Sequence, residues 1–212
     1  MKSTAALGFA PHSGWSVLVA LGLDGSDARP RLLVRERVEL SGPEDPASKQ
    51  PYHAVESLPV EEAARKLASF RADAERRAYD ALARVLASLA ADGRRVVGVG
   101  ILESAGRKGS SLEATLASHA LIHTADGDHF RSAIAAAAES CGLRVTRVRI
   151  RDLDGRAAAE IGRPPDVLRQ ALQVLRREAG PPWGADQKAA ALLAWLVLKA
   201  EGSDAERRLE ER

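Results

Sequence analysis

The sequence predicts an α/β fold, a mixed five-stranded sheet with helices on both faces. Three observations predict it: an antiparallel meander of apolar segments near the N-terminus, two later strands that each follow a helical pattern, and a globular composition. Hydrophobic residues make up 45% and charged residues 28% of the 212 residues, which excludes wholesale disorder and collagen-like sequence. The predicted element order is βββαβαβα.

The first two predicted strands are apolar segments at residues 5–9 and 15–23, and the third, at residues 31–40, alternates apolar and polar residues. Turn-forming residues at 10–14 and 24–27 separate them, which predicts a meander. Residues 41–59 contain four prolines and have no hydrophobic period. A loop of this length inside a compact domain is either functional or mobile.

Helical spacing of apolar residues from Val60 to Gly93 predicts a long helix, and the apolar run 96–102 predicts a strand covered on both faces. Ser110 and Glu113 form a capping-box pattern that predicts a helix, ended by Asp126-Gly127. A second helix, a fifth strand and two further helices follow, at residues 128–140, 144–151, from 164 and from 186. Residues 1–202 are expected to form a single domain and residues 203–212 a charged tail.

Composition limits the classes of partner. The net charge is only +2 and aromatic residues make up 4%, so nucleic-acid binding would be weak, electrostatic and dependent on a local basic patch.

Cys141 is the only cysteine, which excludes an intrachain disulfide and fits a reducing cytoplasm. No apolar run is long enough to cross a membrane. The abundance of Arg and Ala is typical of a GC-rich bacterial genome.

Several short segments resemble the ribonuclease H-like superfamily, in particular RuvC-type and YqgF-type resolvase domains. Leu7-Gly8-Phe9-Ala10-Pro11-His12-Ser13-Gly14 is similar to the end of that family's first strand, and Glu103 follows a strand as the family's catalytic Glu does. Gly142-Leu143-Arg144-Val145 resembles the start of the fifth strand, and Asp186 stands in an Ala-rich motif like that of the last helix. The resemblance implies metal-assisted phosphodiester hydrolysis, with Glu103 and Asp186 as catalytic residues and ligands of Mg²⁺.

The acidic site is incomplete, however. The family's first-strand aspartate falls on Ala10, and a second carboxylate of the last helix falls on Ala189 or Ala190. We therefore expect a protein that is related to Holliday-junction resolvases and that processes or binds DNA or RNA, with or without metal-assisted phosphodiester hydrolysis. The alternative is a non-catalytic scaffold of the same fold that binds a protein or a small ligand. The sequence indicates no oligomeric state.

Each candidate residue also has a structural interpretation. Glu103 would be an exposed loop carboxylate, and Asp186 a residue that favours a helix start. His12 lies beside the altered first-strand position, as a cleft ligand or a turn residue. His119 and His123 share a helical face and would bind either a metal ion or each other, but spacing gives no third ligand. We predict that residues 118–129 line a cleft beside Glu103.

Two basic segments complete the set of candidates. Arg107 and Lys108 lie between Gly106 and Gly109 and are candidates for contact with phosphate, without a phosphate-loop motif. Arginines alternate along the fifth strand at positions 147, 149 and 151. This stripe predicts either contacts with phosphates or, as we favour, an edge strand protected by charge.

Overall fold

A computed structural model describes residues 3–24, 29–107 and 109–210. Lys108, a predicted ligand-binding residue, lies outside the described residues. The described part of the chain contains five strands: β1 (Ser3–His12), β2 (Trp15–Asp24), β3 (Arg29–Glu39), β4 (Arg94–Glu103) and β5 (Arg144–Arg149). It contains six α-helices: α1 (Val60–Ala91), α2 (Leu112–Leu116), α3 (His119–Ser140), α4 (Leu153–Ile161), α5 (Pro165–Ala179) and α6 (Ala185–Glu210).

The five strands form one mixed sheet in the order β3-β2-β1-β4-β5. The first three pair as an antiparallel meander, while β4 pairs in parallel with β1 and β5. This arrangement confirms the predicted fold class. The carboxyl ends of β1, β4 and β5 meet at one end of the sheet, which is called the carboxyl edge below. The arginine-rich β5 is an edge strand, as its charge pattern predicted.

Helices cover both faces of the sheet. The core under α4, α5 and α6 contains the apolar run 190–198, which is buried as its composition predicted. The opposite core lies under α1 and α3. Glycines allow α6 to approach the strands closely: a Cβ atom on Gly8 would lie 1.9 Å from the carbonyl oxygen of Ala190, and one on Gly100 would lie 3.0 Å from Leu193 Cβ.

The predicted loop at residues 41–59 packs against the carboxyl edge. The backbone N–H groups of Leu40 and Ser41 both donate to the carbonyl oxygen of Gly14, in the turn between β1 and β2. Two short 3₁₀ turns follow, Pro46–Lys49 and His53–Val55. Val55 is fully buried in a small apolar cluster shared with α1. The loop is therefore part of the folded domain and brings its side chains to the carboxyl edge.

The predicted helix break at Asp126-Gly127 is wrong, because α3 continues through both residues. The chain instead breaks at Ser118, whose extended backbone separates α2 from α3. The cap of α2 is Ser111, whose side chain accepts a hydrogen bond from the N–H of Ala114. Asp126 does not cap or end the helix because its carboxylate is buried against a distant segment of the chain.

Candidate functional site

His12 and Asp186 form the first candidate pair at the carboxyl edge. Asp186, in the first turn of α6, places Oδ2 3.0 Å from Nε2 of His12 at the end of β1. The His12 ring also stacks on Trp15, with a centroid separation of 4.2 Å and an angle of 7° between the planes. Arg37 lies over the same indole, 3.8 Å from its centroid. The Trp15 ring, with the Arg37 guanidinium over it, therefore holds the His12–Asp186 pair in place.

Glu103, at the end of β4, is a counter-ion for arginines. Its Oε1 accepts a hydrogen bond of 2.5 Å from Arg147 Nη1 on β5. Arg131 of α3 donates from Nε to the carbonyl oxygen of Leu102 at 3.0 Å. Burial lowers the pKa of the Arg131 guanidinium, and the charges of Asp128 and Glu103 oppose that shift. Glu103 thus stabilises cationic side chains beside it.

Glu103 and Asp186 lie on opposite faces of the sheet. Gly98 and Gly100 face α6, so strand alternation points Glu103 toward α3, whereas Asp186 belongs to α6. Within residues 3–24, 29–107 and 109–210, neither carboxylate belongs to a group of three or more potential metal ligands. Ala10, which the sequence resemblance aligns with a resolvase aspartate, is buried in the core under α6.

These residues do not fit the carboxylate cluster that two Mg²⁺ ions require. Each of the two carboxylates has a cationic or imidazole partner of its own. The shared Mg²⁺ site remains a prediction from the resemblance.

A second candidate site brings together three histidines, His53, His119 and His123. One nitrogen of each ring lies within 4.8 Å of one nitrogen of each of the others. The Nε2 atoms of His119 and His123, one turn apart on α3, are separated by 3.0 Å. The ring of His53 is 5.2 Å from that of His119 and 4.5 Å from that of His123, centroid to centroid. We call this group the histidine cluster.

Asp126 fixes the orientation of His53. Its Oδ2 contacts His53 Nδ1 at 2.5 Å, and its Oδ1 accepts a hydrogen bond of 2.7 Å from the N–H of Tyr52. Burial raises the pKa of the Asp126 carboxyl, against the opposing effect of the hydrogen bonds from His53 and Tyr52. Because Nδ1 is engaged, Nε2 of His53 is the ring nitrogen left to contact another group.

The histidine cluster lies beyond the end of the sheet, at a distance from Glu103 along α3. Arg131 is the α3 residue beside Leu102, and His123 precedes it by roughly 12 Å along the helix at 1.5 Å per residue, with His119 roughly 18 Å away. Thr124 is nearer to the loop after β4, because a Cβ atom on Gly106 would lie 2.5 Å from its side chain. A cleft beside Glu103 lined by residues 118–129 stays a prediction.

An open groove of about 540 Å³ lies at the same edge of the sheet. Its lining extends from Ser13, next to His12, to His53 of the histidine cluster. The exposed side chain of Lys49 also borders the groove. Sequence reasoning missed His53 and Lys49 because both lie in an aperiodic loop, which gave no spacing signal.

Exposed cations lie near the ends of two strands. Arg107 is exposed in the loop that follows β4, and Arg149 is exposed at the end of β5. Arg147 contacts Glu103, and Arg151 contacts Asp152 in the 3₁₀ turn after β5. Among the three arginines predicted to alternate along the fifth strand, Arg149 is therefore the one that has no ion pair with a carboxylate in the described part of the chain.

No protein-family model matches this chain, and no curated protein matches it either. Solved structures, in contrast, do match this chain. The chain is similar to RuvC of Thermus thermophilus, with 14% identity and a TM-score of 0.53, over 94% of this chain and 96% of that one. The similarity to Thermus thermophilus RuvC in complex with a Holliday-junction substrate has the same identity and coverage, with a TM-score of 0.51. Within the described residues, no helix is both long enough and apolar enough to cross a membrane. The chain has the ribonuclease H-like fold of the RuvC-type resolvases.

Proposed function

We propose that this protein binds nucleic acid at the carboxyl edge of its sheet, through contacts with the phosphate backbone. The observation that carries the proposal is a set of three exposed cations at that edge, Lys49, Arg107 and Arg149. In the described part of the chain, none of the three has an ion pair with a carboxylate. Exposed Lys and Arg side chains of this kind are the groups that contact phosphates.

The position of these cations supports the proposal. Ligands of α/β sheets collect at the carboxyl ends of the strands. The Thermus thermophilus RuvC chain that shares this fold is described in complex with a Holliday-junction substrate, so a branched DNA is the first ligand to test. The aspartate that the family carries on its first strand is replaced by the buried Ala10, which favours binding over carboxylate-based hydrolysis.

The expected affinity is low because few cations are available. Arg147 is engaged by Glu103, and the whole chain carries a net charge of only +2. Each phosphate contact to duplex DNA contributes roughly eightfold to the binding constant at 0.1 M salt, through release of condensed counterions. Loss of two contacts should therefore weaken binding by roughly 60-fold.

The test is fluorescence anisotropy with a labelled four-way junction, a duplex and a single strand. The double variant Arg107→Ala/Arg149→Ala removes two cations from the carboxyl edge. Its matched control, Arg29→Ala/Arg95→Ala, removes two exposed arginines at the starts of β3 and β4, which lie at the opposite end of the sheet. Weaker binding by the first variant alone would support the proposal. Equal losses in both variants, or no binding by the wild type, would refute it.

Cleavage is tested on the same DNA with added Mg²⁺. If Glu103 and Asp186 hold a common ion as the resemblance implies, the variants Glu103→Gln and Asp186→Asn should each abolish hydrolysis. Their separate partners lead us to expect binding without Mg²⁺-dependent cleavage. Hydrolysis by the wild type that both variants lose would overturn that expectation and support the paired-carboxylate mechanism.

A further inference from the structure

We propose that His53, His119 and His123 form a binding site for a transition-metal ion, with Zn²⁺ as the best match, and that Asp126 is its positioning residue. The site is separate from Glu103 and Asp186. It also does not depend on the proposal that the protein binds nucleic acid.

The distances within the histidine cluster suit tetrahedral coordination. Two nitrogens bound to one Zn²⁺ at about 2.0–2.1 Å lie about 3.3 Å apart when the angle between them is tetrahedral. His119 and His123 already place their Nε2 atoms 3.0 Å apart. All the ligand atoms lie within 4.8 Å of one another, so a contraction of about 1.5 Å at most would close the site.

The choice of ligands determines the class of metal. Imidazole nitrogens suit Zn²⁺, Cu²⁺, Ni²⁺ and iron, whereas Mg²⁺ and Ca²⁺ prefer oxygen ligands. Two ligands one turn apart on a helix and a third from a separate loop fix three corners of a tetrahedron. Three protein ligands leave a fourth position for water or another oxygen ligand.

Asp126 supplies the support that metal-bound histidines usually have. A histidine ligand commonly donates its other ring N–H to a carboxylate, which fixes both its tautomer and its orientation. The contact between Asp126 and His53 has this form, and the Tyr52 N–H holds the other carboxylate oxygen. Asp126 is buried, while His119 and His123 are exposed. The arrangement therefore holds one ligand rigidly and leaves the other two accessible.

Metal titration tests the site directly. The full-length protein, first dialysed against a chelator, is titrated with Co²⁺ by absorbance and with Zn²⁺ by calorimetry. We expect one equivalent of each metal, visible bands typical of four-coordinate Co²⁺, and displacement of Co²⁺ by Zn²⁺. The variants His53→Ala and His119→Ala should lose the bands, and His12→Ala, which removes an imidazole outside the cluster, should keep them.

Circular dichroism establishes that each variant is folded. His119 is exposed on a helix, so its replacement by Ala should leave the fold intact. Absence of four-coordinate Co²⁺ bands in the wild type would overturn the proposal. Equal Zn²⁺ affinity in the wild type and in His53→Ala would overturn it as well.

The role of Asp126 has its own test. In Asp126→Asn, the amide oxygen can still accept from the Tyr52 N–H, and the amide N–H₂ then donates to His53 Nδ1. This moves the ring proton to Nε2, the atom required for the metal. Zn²⁺ affinity should fall by about 10–100-fold, and long-range nitrogen NMR of His53 should report the Nε2–H tautomer. An unchanged tautomer with unchanged affinity would refute the positioning role.

Discussion

His129 should make the stability of this protein depend on pH in the weakly acidic range. The side chain lies in α3 and is 5% exposed. Its ring makes edge contacts with Tyr52 and Phe130, at centroid distances of 6.4 and 5.0 Å. Burial lowers the pKa of His129 to about 4, against the opposing effect of a hydrogen bond with the Phe70 backbone, and the charge of Arg71 contributes in the same direction as burial. The folded protein therefore keeps this imidazole neutral.

The sign and size of the effect follow from the two pKa values. The unfolded chain takes up a proton at His129 near pH 6.5, whereas the folded chain does so only near a pKa of about 4. The unfolded state thus binds more protons between these values, and the free energy of unfolding falls as the pH is lowered. Integrated from pH 7.5 to 5.0, the loss is about 2 kcal/mol, a sizeable part of the 5–15 kcal/mol typical of a domain.

Urea denaturation at pH 7.5 and 5.0 measures this loss. The variant His129→Phe keeps a ring in the core and removes the titrating group. Its free energy of unfolding should fall by about 2 kcal/mol less over this range than that of the wild type. The control Phe130→Leu is a neighbouring core substitution that removes no titrating group, so its loss of free energy over this range should match that of the wild type. Equal losses in the wild type and in His129→Phe would refute the reasoning.

Two further pairs of variants test the fold and the carboxylates. Gly8→Ala should lower the free energy of unfolding by about 1–3 kcal/mol, because its Cβ atom would collide with the α6 backbone. Gly155→Ala should raise the free energy of unfolding by about 0.5–1 kcal/mol, because a Cβ atom at this position within α4 meets open space. Thermal unfolding that ranks the two alike would contradict the packing described for α6. Glu103→Gln should cost about 1–3 kcal/mol because Arg131 is buried beside it, whereas Asp186→Asn, in a half-exposed pair, should cost less than about 1 kcal/mol. Equal costs in chemical denaturation would refute this assignment.

The sheet could be predicted from the sequence because its signals are local. Alternating and continuous apolar runs located all five strands, and the order of strands and helices limited the topology to very few arrangements. The short motifs around Ala10, Glu103 and Asp186 indicated the family resemblance, and the structural comparison shows the corresponding fold. Glu103 does end its strand, and Asp186 does lie in the first turn of its helix.

The parts of the site that the sequence did not predict depend on contacts between distant segments. Asp126-Gly127 has the composition of a turn, but the Asp126 carboxylate contacts Tyr52 and His53 and leaves α3 unbroken. His53 lies far from His119 in the chain, so no spacing rule could identify it as the third member of the cluster. Glu103 lies beside Arg147 because of the register in which β4 pairs with β5, and this register is a contact between distant segments as well.

The dependence of DNA affinity on salt tests the proposed binding surface most directly. Three phosphate contacts predict that the logarithm of the binding constant for the four-way junction falls with the logarithm of salt concentration with a slope of about −2.7. Between 50 and 200 mM salt, binding should weaken by roughly 40-fold. In Arg107→Ala/Arg149→Ala the slope should shrink to about −0.9, while Arg29→Ala/Arg95→Ala should keep the wild-type slope. Tight binding that salt leaves unchanged, or a slope that the first pair of substitutions does not alter, would contradict binding at the carboxyl edge.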